Sequence, residues 1–241
     1  MRRFSAMRRV AFTLIELLVV ISIIALLIGI TIPALSGARE SSRRVKCMTN
    51  LSSIGKGLQM YMDTKSKGVL PFASGLIEST DRPTFPEVVG EYLDTPKPVK
   101  ESDGFYRSND PWKCPSDVIG SDPATNFEPT YRIGGSSYEY WPGSIMLLAD
   151  FIRLGLTRPE WSLTKLYQKP RNDPVTGQRK FWPVLACADQ WHKLRAASLD
   201  RRNALYLDNG MRVDWCIPKP STEEIKELIL ELAREPNSLF K

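Results

Sequence analysis

Four cysteines, one histidine and one isolated carboxylate are the residues of this chain that could carry chemistry. The cysteines Cys47, Cys114, Cys187 and Cys216 are widely spaced and form no CxxC pair. Because a structural zinc site draws its ligands from closely spaced Cys and His pairs, this spacing argues against zinc. An even number of cysteines instead allows two disulfides, in any of three pairing patterns, if the chain is exported to an oxidising compartment.

His192 is the only histidine, and it lies between Trp191 and Lys193. Catalysis by a histidine requires a positioned nucleophile and an orienting carboxylate, and the sequence contains no GxSxG signature. We therefore expect that the protein is not an enzyme.

Asp208, Asn209 and Asp214 could contribute oxygen ligands to a calcium ion. Calcium takes about six to eight oxygens, so three scattered candidates fall short, and a turn alone explains Asp208 and Asn209. We expect no bound cofactor, and calcium remains the open alternative.

The isolated carboxylate, Glu16, is the only charge in the 24 residues from Phe12 to Leu35. As a helix this segment would be about 36 Å long, enough to cross a hydrocarbon core of about 30 Å. Arg2, Arg3, Arg8 and Arg9 precede it and supply four of the six units of the formal net charge of +6. A nucleic-acid partner inferred from the basic composition would therefore depend mainly on the first eleven residues.

Three interpretations of this segment compete. A cleaved secretory signal would have a small-residue site at 36–38, but the apolar run exceeds the usual length of about 7–15 residues. A plain membrane anchor is also compatible, although the basic residues on both sides orient it poorly. Neither interpretation explains the carboxylate.

The third interpretation gives Glu16 a partner. An ionisable group inside a membrane is a functional hypothesis that requires a pairing charge. Cleavage between Ala11 and Phe12 would create an α-amino group one helical turn before Glu16. In a bundle of staggered helices, the carboxylate of one subunit could pair with the amine of its neighbour and set the axial register.

The sequence from Arg8 to Ile21, RRVAFTLIELLVVI, resembles the class III signal of type IV pilins and type II secretion pseudopilins. The resemblance implies cleavage before Phe12 by a prepilin peptidase, N-methylation of Phe12, and a role for Glu16 in assembly. Pro33 falls where many members carry a helix-kinking proline. The chain has Ala11 where the family usually has glycine, and alanine is still small enough for a tight peptidase subsite.

This resemblance also implies partners and a location. We expect a prepilin peptidase/methyltransferase and other pilin-like subunits as partners. The protein would span the inner membrane once, surrounded by its lipid, with an extracytoplasmic headgroup, and would enter a fibre after processing. The expected function is a structural subunit of a type II secretion pseudopilus or type IV pilus-like fibre. There are two alternatives. One is a DNA-uptake subunit that binds DNA through the basic run 39–46, although we expect nucleic acid not to be a partner. The other is a membrane-anchored module that does not polymerise.

The chain after Pro33 continues with helical periodicity. We divide it into a leader (1–11), a membrane helix (12–35), an amphipathic half-helix (36–67) and a headgroup (68–241). Proline in a helix removes one hydrogen bond, so we expect a bend or local melting at Pro33. The predicted apolar stripe comprises Ala34, Ala38, Val45, Met48, Leu51, Ile54, Leu58, Tyr61 and Met62, and Asn50 falls on the polar side.

The headgroup is predicted to begin with a loop-rich insertion at 72–130, rich in proline and turn residues. The Cys114-Pro-Ser-Asp117 segment resembles a motif of pilin-like proteins with large headgroups. Two disulfides are hypothesised: Cys114 with Cys47 on the helix, and Cys187 with Cys216 across neighbouring strands.

A sheet is predicted at 136–216, with strands at 136–141, 145–152, 181–188, 204–207 and 211–216 and a polar excursion at 168–180. The Asn209-Gly210 step indicates a hairpin between the last two strands. A capping box at 221–224 opens a short C-terminal helix within 221–235. The expected fold class is α+β: a pilin-like long N-terminal helix packed on an antiparallel sheet.

Overall fold

The computed structural model describes residues 13–75, 82–119, 128–152, 154, 158–172, 179–188, 202–208, 210–216 and 222–234. The chain divides into two compact units, Met1–Ser42 and Arg43–Lys241. The predicted leader and the cleavage residues Ala11 and Phe12 lie outside the described residues, as do His192, Asn209 and Ser221.

The first element is a long helix, α1, which spans Leu14–Thr64. It continues through position 33 without a break, so local melting at Pro33 is not found. The helix ends because Lys67 and Gly68 both adopt positive φ, at 53° and 85°, and the Gly68 amide returns to the Met62 carbonyl at 2.8 Å. Glycine tolerates this left-handed conformation without steric cost, as helix C-termini require.

The second half of α1 buries one face in the core of the larger unit. Leu51, Ile54, Leu58 and Met62 are buried as predicted, at helical spacings of three and four. The stripe nevertheless differs at its start: Val45 is 63% exposed, and Cys47 begins the buried face. Asn50 was predicted on the polar side, but it is buried because its amide serves the neighbouring loop, as described below.

The main sheet has four antiparallel strands in the order β3-β6-β7-β8. These strands are Tyr138–Tyr140, Pro183–Cys187, Arg202–Leu207 and Met211–Cys216. The predicted hairpin is present, since β7 and β8 pair from Leu207↔Met211 to Arg202↔Cys216. The fold is therefore α+β, with a long N-terminal helix and antiparallel sheets.

Gly55 allows α1 to approach this sheet closely. A Cβ atom at position 55 would lie 2.8 Å from Leu205 Cδ1 and 3.1 Å from Met211 Cβ. These separations are shorter than carbon–carbon van der Waals contact. The glycine, which weakens a helix by propensity alone, is thus used here for packing against β7 and β8.

One predicted strand is wrong. The apolar run 145–152 lies in helix α4, Trp141–Phe151, with Pro142 in its first turn. A second helix, α5 at Pro159–Gln168, was not predicted. It precedes a two-stranded ribbon of β4, Arg171–Asn172, and β5, Arg179–Lys180, where only a polar excursion was expected.

The segment between α1 and the sheet has little regular structure, as its composition indicates. Its described residues contain two short α-helices, one 3-10 turn and one short ribbon: α2 at Phe85–Val89, the 3-10 turn at Gly90–Tyr92, β1 at Val99–Lys100, β2 at Tyr106–Arg107 and α3 at Thr130–Gly134. Aromatic side chains tie this segment to the core, since the Phe85 ring stacks on Tyr140 with 4.4 Å between centroids. The last described element is α6, Thr222–Arg234, where the C-terminal helix was predicted.

Candidate functional site

The first candidate site is the apolar surface of α1 in the smaller unit. The large apolar side chains between Leu14 and Leu35 are from 47% to 81% exposed. An 18-residue window of this helix has a mean hydropathy of 2.9, and the helix is long and apolar enough to cross a membrane. An exposed apolar surface of this extent requires lipid or other helices to cover it.

Glu16 lies at the start of this surface and makes a capping box with Thr13. The Thr13 backbone amide and hydroxyl both donate to Glu16 Oε2, at 2.8 and 2.7 Å. The Glu16 amide donates in return to Thr13 Oγ1 at 3.2 Å. The motif satisfies donors that every helix start leaves open. The sequence signal for this motif is the Thr-x-x-Glu pattern at 13–16.

The basic run 39–46 lies close after the apolar stretch. Arg39, Arg43 and Lys46 are exposed. Lys46 Nζ forms an ion pair with Asp110 Oδ2 at 2.7 Å, so one of these cations contacts the irregular segment of the protein itself. Nucleic-acid binding by this run stays an untested alternative.

The second candidate site is a cluster of three thiols in the core of the larger unit. Cys47 on α1, Cys114 in the irregular segment and Cys187 on β6 are all buried. Their Sγ atoms all lie within 4.8 Å of one another, and those of Cys47 and Cys187 are 3.3 Å apart. Only the convergence of three distant chain segments produces this cluster, so nothing local in the sequence indicates it.

Asp117 holds the loop that carries Cys114. Its buried carboxylate accepts hydrogen bonds from the Ser137 hydroxyl at 2.7 Å and from the Thr130 and Tyr131 amides at 3.0 and 3.1 Å. The Cys114 amide in turn donates to Ser137 Oγ at 2.9 Å. The Cys-Pro-Ser-Asp segment is thus a closed turn whose aspartate caps α3 and fixes the cysteine.

Asn50 fastens the same loop to α1. Its side-chain amide donates to the Lys113 carbonyl at 2.8 Å and to Asp110 Oδ1 at 3.3 Å. Because Asn50 follows Cys47 by three residues on one helical face, the bond places the Cys114 loop directly over Cys47.

The apolar surroundings favour the protonated form of the Cys114 and Cys187 thiols. Burial raises the pKa of Cys187 well above its usual range, and hydrogen bonds with Cys114 and Cys47 raise it further. A hydrogen bond with Cys187 lowers the pKa of Cys114, but a bond with Cys47 together with burial outweighs it and raises that pKa overall. The thiols of Cys114 and Cys187 are therefore poor nucleophiles in this state.

The Tyr138 side chain lies beside the thiols, and Arg202 contacts the main chain of Cys187. The Tyr138 hydroxyl is buried and has no nitrogen or oxygen hydrogen-bond partner among the described residues, and its neighbour is the Cys47 sulfur. Burial raises the pKa of Tyr138, and the three adjacent cysteines, including a hydrogen bond with Cys47, raise it further, which places the phenol beside the sulfurs. Arg202, also buried, donates from Nη1 to the carbonyls of Cys187 and Ala188, at 3.3 and 2.6 Å.

The hypothesised disulfide between Cys187 and Cys216 does not fit the topology. The two residues lie on β6 and β8, which are separated by β7, and strands two apart are about 9.5 Å from each other. A disulfide requires Cα atoms within roughly 7 Å. The other hypothesised pair, Cys47 and Cys114, is brought together, but as thiols that share Cys187 as a third neighbour.

The calcium candidates are engaged with an arginine. Arg212 donates to Asp208 Oδ2 at 3.2 Å and to Asp214 Oδ2 at 2.5 Å, so a guanidinium already lies between the two carboxylates. Within the described ranges, the group of residues arranged to hold a metal is the thiol cluster.

Comparison with known proteins finds no matching family model, no matching curated protein and no matching solved structure.

Proposed function

We propose that this chain is a pilin-like structural subunit of a type II secretion pseudopilus or a type IV pilus-like fibre. A prepilin peptidase would cleave it before Phe12, and its apolar helix would pack with those of other subunits. The architecture, a long N-terminal apolar helix together with a small antiparallel β-sheet domain, is compatible with this class.

The observation that carries the proposal is the exposed apolar surface from Leu14 to Leu35. Each fully buried large apolar side chain gains about 1.5–3 kcal/mol relative to exposure in water. Lipid can cover this surface before assembly, and neighbouring helices can cover it in a fibre. In a plain membrane anchor, lipid alone would cover this surface. The surface by itself therefore does not distinguish a polymerising subunit from an anchor.

Glu16 is the residue that favours a polymerising subunit over a plain membrane anchor. An unpaired carboxylate in the hydrocarbon core costs several kcal/mol. Cleavage after Ala11 would place the new Phe12 amine one residue from Thr13, whose amide Glu16 already contacts at 2.8 Å. Transfer of the carboxylate to the amine of an adjacent subunit would pair both charges and fix the stagger between helices.

The test is the N-terminus of the mature chain, measured by mass spectrometry after expression with a prepilin peptidase. We expect a chain that begins at N-methylated Phe12. Ala11→Gly, which restores the family's usual residue, should be cleaved at least as fast, whereas the bulkier Ala11→Leu should accumulate uncut.

A mature chain that begins at Met1 would contradict the proposal and leave a membrane-anchored module. A chain that begins after Ala38 would indicate an ordinary secretory signal instead.

A further inference from the structure

Three distant segments of the chain bring one thiol each to a single point in the core. Cys47 and Cys187 are 140 residues apart in sequence and have their sulfurs in contact, and Cys114 lies within 4.8 Å of both. We propose that this cluster binds one closed-shell thiophilic metal ion, Cu(I) or Zn(II), through the three sulfurs.

The sulfur geometry matches a metal–thiolate site. With metal–sulfur bonds of about 2.3 Å, sulfurs around a tetrahedral or trigonal ion are separated by roughly 3.8–4.0 Å. The observed separations, from 3.3 Å up to at most 4.8 Å, bracket this value. Side-chain adjustments of under about 1 Å would therefore complete the site, with no rearrangement of α1 or β6.

Two other roles for the sulfurs fit less well. A disulfide between Cys47 and Cys187 would need their sulfurs to close from 3.3 Å to about 2.05 Å and would leave Cys114 as an odd thiol. Simple core packing is satisfied by sulfhydryls, but it leaves the buried Tyr138 hydroxyl with only a cysteine sulfur as its acceptor. A protonated thiol is a weak hydrogen-bond acceptor, so this buried hydroxyl is poorly satisfied.

A bound metal ion would give the Tyr138 hydroxyl a strong partner. Thiolate sulfurs would accept a hydrogen bond from the phenol, or the phenol oxygen would supply a fourth ligand. Zn(II) requires four ligands in a closed site, whereas thiolates alone suit Cu(I). Tyr138 therefore distinguishes the two ions.

The chemistry of loading balances without an electron transfer. Three S–H protons leave to solvent, and three sulfur–metal bonds form. The product would carry a net charge of −1 with Zn(II) or −2 with Cu(I), and a buried anion needs a nearby cation. The buried guanidinium of Arg202 contacts only the main chain of Cys187: it donates to that carbonyl, while its side chain starts from the sheet face opposite the sulfurs.

The experiment uses the full chain in detergent, purified reduced and free of metal, and titrated separately with Zn(II) and Cu(I) against a competing chelator. We expect one ion per chain by native mass spectrometry, and a raised Tm on loading. Cys47→Ala, Cys114→Ala and Cys187→Ala should each weaken binding at least roughly 100-fold, more than loss of an outer-shell group does. Cys216→Ala, on a strand separated from β6, is the matched control and should bind as wild type.

Tyr138→Phe identifies the ion. If Zn(II) is bound with the phenol as fourth ligand, this variant should lose roughly 10- to 100-fold in zinc affinity. If Cu(I) is bound by sulfur alone, its affinity should stay within a few-fold of wild type. The circular dichroism spectrum of each metal-free variant verifies that it is folded.

The proposal fails if neither ion is retained by the folded wild-type chain, or if Cys114→Ala and Cys216→Ala bind equally well. It also fails if alkylation of unreduced protein from its native host shows a disulfide within the cluster. None of these measurements depends on cleavage before Phe12, so they are independent of the proposed assembly function.

Discussion

Thr13 and Glu16 hydrogen-bond each other in both directions at the start of α1, with the shortest contact, 2.7 Å, between the Thr13 hydroxyl and Glu16 Oε2. The carboxylate therefore has a local role, capping the helix, besides the intersubunit role that we propose. The two roles can be separated because a capping box accepts glutamine in place of glutamate.

Glu16→Gln keeps the cap and removes the charge, whereas Thr13→Ala removes the cap and keeps the charge. If Glu16 pairs with a neighbour's amine, we expect Glu16→Gln to be cleaved normally yet to lower assembly with wild-type subunits at least tenfold. Thr13→Ala should still assemble, because loss of a cap costs only about 1 kcal/mol. Crosslinking of subunits in membranes measures the outcome.

The opposite pattern, normal assembly by Glu16→Gln and failure by Thr13→Ala, would show that the carboxylate only caps the helix. Glu16→Ala removes both the charge and the cap. It should assemble no better than the more defective of Glu16→Gln and Thr13→Ala.

Asn50→Ala should destabilise the larger unit by about 1–3 kcal/mol, because it leaves the Lys113 carbonyl without the donor that now lies 2.8 Å away. Lys56→Ala, an exposed change on the same helix, is the matched control and should stay within about 0.5 kcal/mol of wild type. Thermal unfolding of the full chain in detergent measures the stability of both variants. Equal losses would show that the hydrogen bond from Asn50 to the Lys113 carbonyl does not stabilise the fold.

Gly55→Leu should destabilise the fold by about 1–3 kcal/mol, because the added side chain must displace Leu205 or lift α1 from the sheet. Gly37→Leu is the control, since no atom lies within 4 Å of a Cβ built at position 37. By helix propensity the control should be neutral or slightly stabilising. A similar loss of Tm in both variants would mean that propensity, not packing, accounts for the effect.

Asp117 makes the stability of the headgroup depend on pH. Burial raises the pKa of its carboxyl above the ordinary value of 3.8, although the hydrogen bonds from Ser137 and two backbone amides oppose the shift. The folded chain therefore keeps this proton to a higher pH than the unfolded chain does. The resulting stability is fully present below about pH 3.8 and is lost as pH rises through the raised pKa.

Asp117→Asn cannot titrate and removes this dependence. The Tm of wild type minus that of the variant should consequently fall as the pH rises from about 4 to 7. A difference that stays constant or grows over this interval would contradict the raised pKa.

The sequence predicts the elements whose periodicity is unambiguous. The apolar and then amphipathic pattern indicates α1, and Asn-Gly between two apolar runs indicates the β7–β8 hairpin. The run 145–152 is continuously apolar, and such a run fits a buried strand or a buried helix equally well. The Pro142 in its first turn was the local signal for a helix. The same signal, Pro159 followed by Glu160, opens helix α5, which was not predicted.

The thiol cluster could not be predicted in this way. Spacing rules detect metal ligands that share one hairpin or helix, whereas Cys47, Cys114 and Cys187 belong to separate segments that meet only in the folded core. Asn50 departs from its predicted position for a related reason: a polar residue on a helix is expected to face solvent, but this amide satisfies a loop carbonyl in the interior.

Because its three contributors come from the helix, the irregular segment and the sheet, the sulfur cluster is also a built-in reporter of folding. Its members become inaccessible together only when all three parts have docked. The rate at which a thiol reagent modifies Cys47, Cys114 and Cys187 therefore measures how often the whole core opens, and unequal rates would identify the part that detaches first.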